Sequence, residues 1–143
     1  MDLSGNGMQI RVTKLPESLV TLGSGAFSGA GEFVVLKTLP KNLETLEGWV
    51  FTNCPHVKIS TFGSNDGTTS KLRVIGRGAF ENAGEGEGDP VERIEVLRTV
   101  QEIGMDAFRN YGGGTLKSAA FTNTYDTTWA EMGLVGIDIE ELA

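Results

Sequence analysis

Residues 91–111, VERIEVLRTVQEIGMDAFRNY, decide the fold, because their pattern of apolar residues and glycine recurs at three earlier places in the chain. The part from Ile103 to Phe108 aligns with residues 22–27, 46–51 and 75–80. Each aligned segment ends on a phenylalanine, at intervals of 24, 29 and 28 residues: Phe27, Phe51, Phe80 and Phe108. Self-similarity at such a period is the sequence signature of stacked repeats.

Apolar columns accompany the phenylalanine column. Aliphatic residues stand eight positions before each phenylalanine (Leu19, Leu43, Leu72, Val100) and five before it (Leu22, Leu46, Ile75, Ile103). A strand-like group, Val91, Ile94 and Val96, precedes the fourth segment, and Leu116, Ala119 and Phe121 repeat it, which predicts a partial fifth repeat. One unit of this length cannot bury its own apolar columns, whereas stacked units bury them in continuous ladders.

Two finer predictions concern the turns. The glycine that follows the aliphatic column, at Gly76 and Gly104, is expected at positive φ, which only glycine adopts at low cost. The asparagines two residues after the phenylalanines, Asn53, Asn82 and Asn110, are expected to hydrogen-bond exposed backbone inside the repeats.

The consensus L-x-x-I-x-I-P-x-x-V-x-x-I-G-x-x-A-F-x-N-C resembles the BspA-like leucine-rich repeats, from about Ile10 to Phe121. The resemblance implies a right-handed leucine-rich-repeat solenoid that is β-rich, with a parallel sheet on one face and turns and short 3-10 segments on the other. In known members it serves surface adhesion and recognition. The departures are Glu47 in place of glycine, Trp49 before Val50 and Phe51, and alanine or tyrosine in place of most cysteines.

The expected organisation is a repeat domain over residues 1–121, with about four repeats and a partial fifth, and a C-terminal cap or connection over residues 122–143. Within this tail, residues 128–132 predict one capping turn, and residues 134–139 predict an edge strand or a connection onward. Residues 63–70 and 84–90 are polar insertions that lengthen their repeats.

Composition excludes several classes of partner. The formal net charge is −7 with no run of lysine or arginine, which argues against nucleic-acid binding. No apolar run reaches the ~20 residues that would insert in a membrane. The first residues lack the features of a signal peptide. Localisation therefore stays open: extracellular or cell-surface within a longer exported protein, or in the virion if a phage encodes the chain.

Candidate chemistry is sparse, and no cofactor is expected. Cys54, the single cysteine, and His56, the single histidine, are too few for a zinc set, and Cys54 occupies an inward small-residue column, which predicts a buried structural thiol. The acidic loop at residues 84–90 carries Glu85, Glu87 and Asp89, whose oxygens could bind calcium, but the spacing does not match an EF-hand loop and favours a plain solvated loop.

Binding is the expected function. Trp49 stands in a column that otherwise holds glycine or aspartate, so its side chain is expected to point outward. It is then either an anchor for a binding partner or a ring that lies flat over a neighbouring turn. The predicted sheet face carries the other candidate binding residues: Glu92, Arg93, Glu95 and Lys117.

Three functions are compatible with a chain of this composition. The first is a non-enzymatic recognition module of adhesin or receptor type, with a protein or glycan surface ligand. The alternative is a structural component of a phage particle or other assembly (decoration, fibre or tail subunit), as a homo-oligomer or part of a larger structure. The third, a glycan hydrolase with two carboxylates, is disfavoured because the acidic residues lie mainly in loops and outward columns.

Overall fold

The computed structural model describes residues 11–142, and this part of the chain is β-rich and almost free of helix. One 3-10 helix is described, Gly31–Phe33. Eight short strands make up the remaining regular structure: β1 (Thr21–Leu22), β2 (Thr45–Leu46), β3 (Thr61–Phe62), β4 (Val74–Ile75), β5 (Arg93–Val96), β6 (Glu102–Ile103), β7 (Ser118–Phe121) and β8 (Asp138–Glu141). No helix within residues 11–142 has the length and apolar character needed to cross a membrane.

The strands form two sheets in which every pair is parallel. The first sheet has the order β1-β2-β4-β6 and the second sheet has the order β3-β5-β7-β8. Neighbouring strands therefore come from successive repeats. Two isolated parallel bridges, Val12 to Val34 and Leu36 to Val57, extend the second sheet towards the N-terminal repeats. The sequence predicted one parallel sheet, whereas the structure has two. The additional sheet is the first one, which is made of the short strands β1, β2, β4 and β6.

The registers confirm the aliphatic columns. Pairing in the first sheet places Leu22, Leu46, Ile75 and Ile103 in one row. All four are buried, and Leu46 and Ile75 are fully enclosed. Each fully buried aliphatic side chain of this size contributes about 1.5–3 kcal/mol, so this row is a main source of cohesion between repeats.

The phenylalanines form the expected ladder. Ring centroids lie 5.6 Å apart between Phe27 and Phe51, 5.4 Å between Phe51 and Phe80, and 5.9 Å between Phe80 and Phe108. Phe62, from β3, meets Phe80 and Phe108 edge-on at 5.1 and 5.3 Å. Stacked and edge-on ring pairs at these separations stabilise the fold by more than the burial of their apolar surface alone. The core thus lies between the two sheets and the phenylalanine turns.

The prediction of positive φ at Gly76 and Gly104 is wrong, because neither residue has a positive φ. Glycine is needed there for another reason. A β-carbon on Gly76 would lie 2.6 Å from the carbonyl carbon of Glu47, and one on Gly104 would lie 2.5 Å from the backbone nitrogen of Arg77. Glycine at this column therefore permits close backbone approach between repeats.

Positive φ occurs instead two residues later and at the asparagine column. Gly25, Trp49, Gly78 and Asp106 share one such position, and Asn53, Asn82 and Asn110 share another. Asparagine tolerates this left-handed conformation better than most residues. Asn110 donates its side-chain amide to Oδ1 of Asn82 at 3.0 Å on an exposed surface, so the expected bond from Asn110 to backbone inside the repeat is replaced by an asparagine pair between neighbouring repeats.

Residues 122–142 continue the stacking further than the sequence indicated. Phe108 donates its N–H to the Met132 carbonyl at 2.9 Å, and Met132 is fully buried. Thr128 and Glu131 exchange side-chain to backbone hydrogen bonds at 3.0 and 3.1 Å, which is the reciprocal pattern of a capping box. β8 then pairs with β7. The expected turn at residues 128–132 is present. The edge strand expected at residues 134–139 is displaced, because residues 134–137 form no strand and β8 begins at Asp138. The division at residue 121 stays a prediction.

Candidate binding surfaces

A groove of about 560 Å³ runs along the outward face of the second sheet. Its lining mixes basic, acidic and small residues: Val35, Lys37, His56, Lys58, Ser60, Glu87, Gly88, Asp89, Pro90, Val91, Glu92 and Arg93. Inward residues such as Leu36 and Ile94 are buried in the core, and strand alternation turns their neighbours outward. The groove therefore follows from the strand periodicity together with the acidic loop.

Lys58 fixes the acidic loop against the sheet. Its Nζ donates to the carbonyl oxygens of Gly86, Glu87 and Asp89 at 2.6, 3.0 and 3.2 Å. Three converging carbonyl oxygens could coordinate a hard cation such as calcium. In this protein the ammonium group of Lys58 lies at the point where they converge. No cluster of three or more metal-binding side chains occurs in residues 11–142.

His56 supports the same loop from below. Gly86 passes so close to the imidazole that a β-carbon on it would lie 2.7 Å from Nδ1 of His56. Gly86 also donates its N–H to the Pro55 carbonyl at 2.8 Å. On its other side His56 faces Glu32, with 3.6 Å between Nε2 and Oε2. The loop is therefore held by contacts of the protein itself.

Arg93 is the centre of an ionic network on the outward face. Its guanidinium contacts Oε2 of Glu140 at 2.6 Å, Oε2 of Glu95 at 3.4 Å and Oγ of Ser118 at 3.5 Å. The hydrogen bond with Glu140 is the main cause that raises the pKa of Arg93. The three charged side chains are well exposed, so the network shapes the surface more than it stabilises the fold.

The other two predicted sheet-face residues lie beside this network. Lys117 Nζ contacts Oε2 of Glu92 at 3.2 Å, and both side chains are more than half exposed. Glu92 and Lys117 thus form an ion pair of their own, next in sequence to Arg93 and Ser118, and of the four predicted residues Glu92 and Arg93 line the groove.

Trp49 lies apart from this face, in the turn beside the first sheet. It is 43% exposed and has a φ of 55°. Its indole covers Gly78 of the next repeat, because a β-carbon on Gly78 would lie 2.5 Å from Cδ1 of Trp49. The Arg77 guanidinium carbon lies 5.9 Å from the ring centroid. Trp49 is therefore partly a packing residue and partly an exposed aromatic surface.

Cys54 and His56 do not form a reactive pair. Cys54 is fully buried, and its thiol points to the Phe27 carbonyl at 3.5 Å and the Thr52 carbonyl at 3.7 Å. Burial raises the pKa of the Cys54 thiol to about 11. A protonated, enclosed thiol is inert at neutral pH, which confirms the predicted structural role.

Sequence reasoning missed Lys37 and Lys58. Both lie beside inward residues, Lys37 after Leu36 and Lys58 between Val57 and Ile59, so the two-residue alternation of a strand could have placed them on the outward face. The convergence of the loop carbonyls on Lys58 has no sequence signal.

Comparison with protein families finds a match over most of the chain. The family model described as BspA type leucine rich repeat region matches residues 6–128 in six copies. Repeats of this kind are generally non-enzymatic protein-interaction modules. Neither the curated proteins nor the solved structures contain a match to this chain.

Proposed function

We propose that this chain, which belongs to the BspA-type leucine-rich repeat family, is a recognition module whose repeats stack as a solenoid and bind a protein or glycan on the surface of another cell or particle. The role is of adhesin or receptor-recognition type. The groove on the outward face of the second sheet carries the proposal, because it is partly open to solvent and lined by charges of both signs.

The distribution of apolar side chains supports a macromolecular partner. The large aliphatic and aromatic residues are mostly committed to the core, including the buried rings Phe51, Phe62, Phe80, Phe108 and Phe121. Small-molecule sites are usually enclosed, whereas this groove is partly open to solvent and carries charges of both signs. A surface that combines apolar lining with charged residues suits a macromolecular interface.

The experiment introduces the same bulky charge inside and outside the groove. Ser60→Arg places a long side chain on the groove floor, and Ser28→Arg places it in an exposed turn beside the phenylalanine ladder. Binding to arrays of immobilised surface proteins and of glycans is measured for wild type and both variants, after melting curves show that both are folded. We expect specific array spots that Ser60→Arg loses and Ser28→Arg keeps.

A third variant separates the two surfaces. Trp49→Gly removes the exposed indole at a position whose φ already suits glycine. If binding survives Ser60→Arg and disappears in Trp49→Gly, the interface lies at the turn beside the first sheet, and the proposed groove is wrong. Loss in both variants would extend the interface across both surfaces, whereas an array without any specific spot would contradict the recognition role.

The alternative is a structural subunit of a phage particle or another assembly, as decoration, fibre or tail component. The observation that favours it is the outer edge of β8, which no strand pairs with in residues 11–142. An unpaired strand edge is a template for association with another chain.

A further inference from the structure

A notch of about 240 Å³ adjoins the groove at a place where pairing in the second sheet is interrupted between two repeats. The bridge from Leu36 to Val57 lies on one side of it, and β3, on the other side, pairs with β5 and with no other strand in residues 11–142. Lys37 and Ser60 line both the notch and the groove, so the two depressions are continuous. The notch therefore belongs to the surface that carries the proposed recognition role.

Hydroxyl groups and one lysine line the notch. Lys37 is its one charged lining residue among those described, and five of the eight lining residues carry a hydroxyl: Thr38, Ser60, Thr61, Thr69 and Ser70. The Ser70 hydroxyl accepts the Leu72 N–H at 3.2 Å. The other four hydroxyls make no hydrogen bond with the described chain. Each of them is therefore available to donate to a ligand and to accept from it.

The polar insertion at residues 63–70 forms one wall of the notch, and its own contacts hold it in place. Ser64, which is 4% exposed, donates its hydroxyl to the Ser70 carbonyl at 2.7 Å and accepts the Gly67 N–H at 2.9 Å. The N–H of Ser64 donates to Oγ1 of Thr99 at 3.0 Å. A wall that is already ordered lowers the entropic cost of binding a ligand.

The open side of β3 adds one backbone donor and one backbone acceptor. Glu95 and Leu97 of the next repeat donate their N–H groups to the carbonyls of Ser60 and Phe62, both at 2.8 Å. The N–H and C=O of Thr61 therefore point away from β5, to the side of the notch. A peptide strand that adds to a sheet bonds along several residues of the edge, so a single open residue does not favour an extended peptide as the ligand.

The notch lies in the basic half of an acidic chain. Residues 11–80 carry eight lysines and arginines against five acidic residues, whereas residues 81–142 carry four against thirteen. Lys37 makes no ion pair with any described residue. Asp66 of the polar insertion and Glu95 of β5 have partners of their own, in Thr68 and Arg93. An unpaired lysine in a locally basic surface favours an anionic ligand.

We propose that the notch binds the anionic group of an acidic glycan, a sulfate ester or a carboxylate. This inference rests on the proposed function and names the partner of the same surface. Lys37 and the Thr61 N–H bind the charged oxygens, and the free hydroxyls bond to sugar hydroxyls, which donate and accept as they do. Anchors of protein partners are mostly aromatic or other large side chains that fill desolvated pockets, and the only large apolar side chain described in the lining is Leu39.

Three dextrans of matched length test the proposal: one sulfated, one carboxymethylated and one without substituents. Their binding is measured in about 0.15 M salt, where charges more than ~8 Å apart are screened. Two pairs of variants make the same change inside and outside the notch. Lys37→Gln and Lys41→Gln each remove one exposed lysine of the basic half. Thr61→Val and Thr21→Val each remove a hydroxyl from the exposed first residue of a two-residue strand. Melting curves check that all four variants are folded.

We expect the wild type to bind at least one charged dextran and not the neutral one. Lys37→Gln should weaken this binding about tenfold or more, and Thr61→Val about two- to tenfold, which are the usual losses for one charged and one neutral hydrogen bond. Lys41→Gln and Thr21→Val should bind as the wild type does. The dextran that binds more tightly identifies the anionic group as sulfate or carboxylate.

Two results overturn the proposal. Equal binding of the three dextrans shows that the anionic group is not recognised, and equal loss in Lys37→Gln and Lys41→Gln shows attraction by the basic half as a whole. The protein and glycan arrays separate this failure from that of the recognition role. If Ser60→Arg loses specific array spots while no charged dextran binds, the recognition role stands and the acidic glycan is wrong. If no array spot is specific and no dextran binds, both are wrong.

Discussion

Replacing Gly76 by alanine should weaken the stacking of repeats where two backbones come closest. A β-carbon on Gly76 would lie 2.6 Å from the carbonyl carbon of Glu47, 2.7 Å from the Leu46 oxygen and 2.8 Å from the Gly48 nitrogen. Comfortable carbon contacts are about 3.5–4.0 Å, so the two repeats must separate by nearly an ångström. The 2.8 Å bond from the Gly76 N–H to the Leu46 carbonyl lies at the same place and would lengthen.

The chain supplies a matched control in the same column. A β-carbon on Gly23 meets nothing closer than Oε1 of Glu47 at 4.0 Å, and neither Gly23 nor Gly76 has a positive φ. Gly23→Ala should therefore be neutral or stabilise by about 0.4–1 kcal/mol, because alanine restricts the unfolded chain. Gly76→Ala should destabilise by about 1–3 kcal/mol, the usual cost of overpacking.

The assay compares unfolding of the two variants by denaturant and by heat. The expected gap in the free energy of unfolding is about 1–4 kcal/mol in total, and a gap of this size corresponds to roughly 4–16 °C in Tm for a domain of this length. Equal stability of the two variants would refute the close approach of backbones as the reason for glycine at this column. Destabilisation of both by the same amount would point to a requirement of the turn itself, independent of the neighbouring repeat.

Three further predictions concern buried and half-buried polar groups. Tyr111→Phe should cost about 1–3 kcal/mol in denaturant unfolding, because the Tyr111 hydroxyl bonds both the N–H and the C=O of Ile59 at 2.6 Å and would leave them unsatisfied; wild-type stability would show that water replaces the hydroxyl. Lys58→Met should speed cleavage at Glu87 by a glutamate-specific protease, because it removes the ammonium that binds the loop carbonyls. A chelator should leave the cleavage rate and the Tm of the wild type unchanged. A chelator that lowers the Tm would instead reveal a bound metal. Folded protein should not react with a thiol reagent at pH 8. With the Cys54 pKa raised to about 11, the thiol ionises first in the unfolded chain, so the stability difference between wild type and Cys54→Ala should fall as pH rises from about 9 to 11, and a difference that stays flat across this range would contradict the buried thiol.

The apolar skeleton could be predicted from sequence because it is periodic. Leucine and isoleucine columns, the phenylalanine ladder and the inward thiol of Cys54 all lie where the alignment placed them. Each of these positions is occupied by the same kind of residue in successive repeats, so one repeat predicts the next. Outward residues such as Arg93 followed from strand alternation once the inward ones were assigned.

Contacts that occur once could not be predicted in this way. Nothing in the sequence indicates that Lys58 binds the loop carbonyls, since the contact joins residues 28 to 31 positions apart. The final turn was missed as part of the stacking because no phenylalanine follows Phe121, and Met132 takes the place that Val50, Ala79 and Ala107 hold in earlier repeats. Tyr111 was seen only as a departure from a small-residue column, while its hydroxyl satisfies a buried backbone segment of a different repeat.

The departures of the second repeat from the consensus are explained by the repeat that follows it. Glu47 stands where the other repeats have glycine, and the residue stacked on its backbone is Gly76. Trp49 stands two positions later, and its indole lies over Gly78. In both columns the larger residue is accommodated by a glycine in the same column of the next repeat. Whether a large residue fits in one of these columns therefore depends on the residue in the same column of the next repeat. The consensus of a single repeat does not show this dependence. Trp49 also keeps 43% of its surface exposed, so the glycine beneath it allows the substitution while the ring stays accessible to solvent.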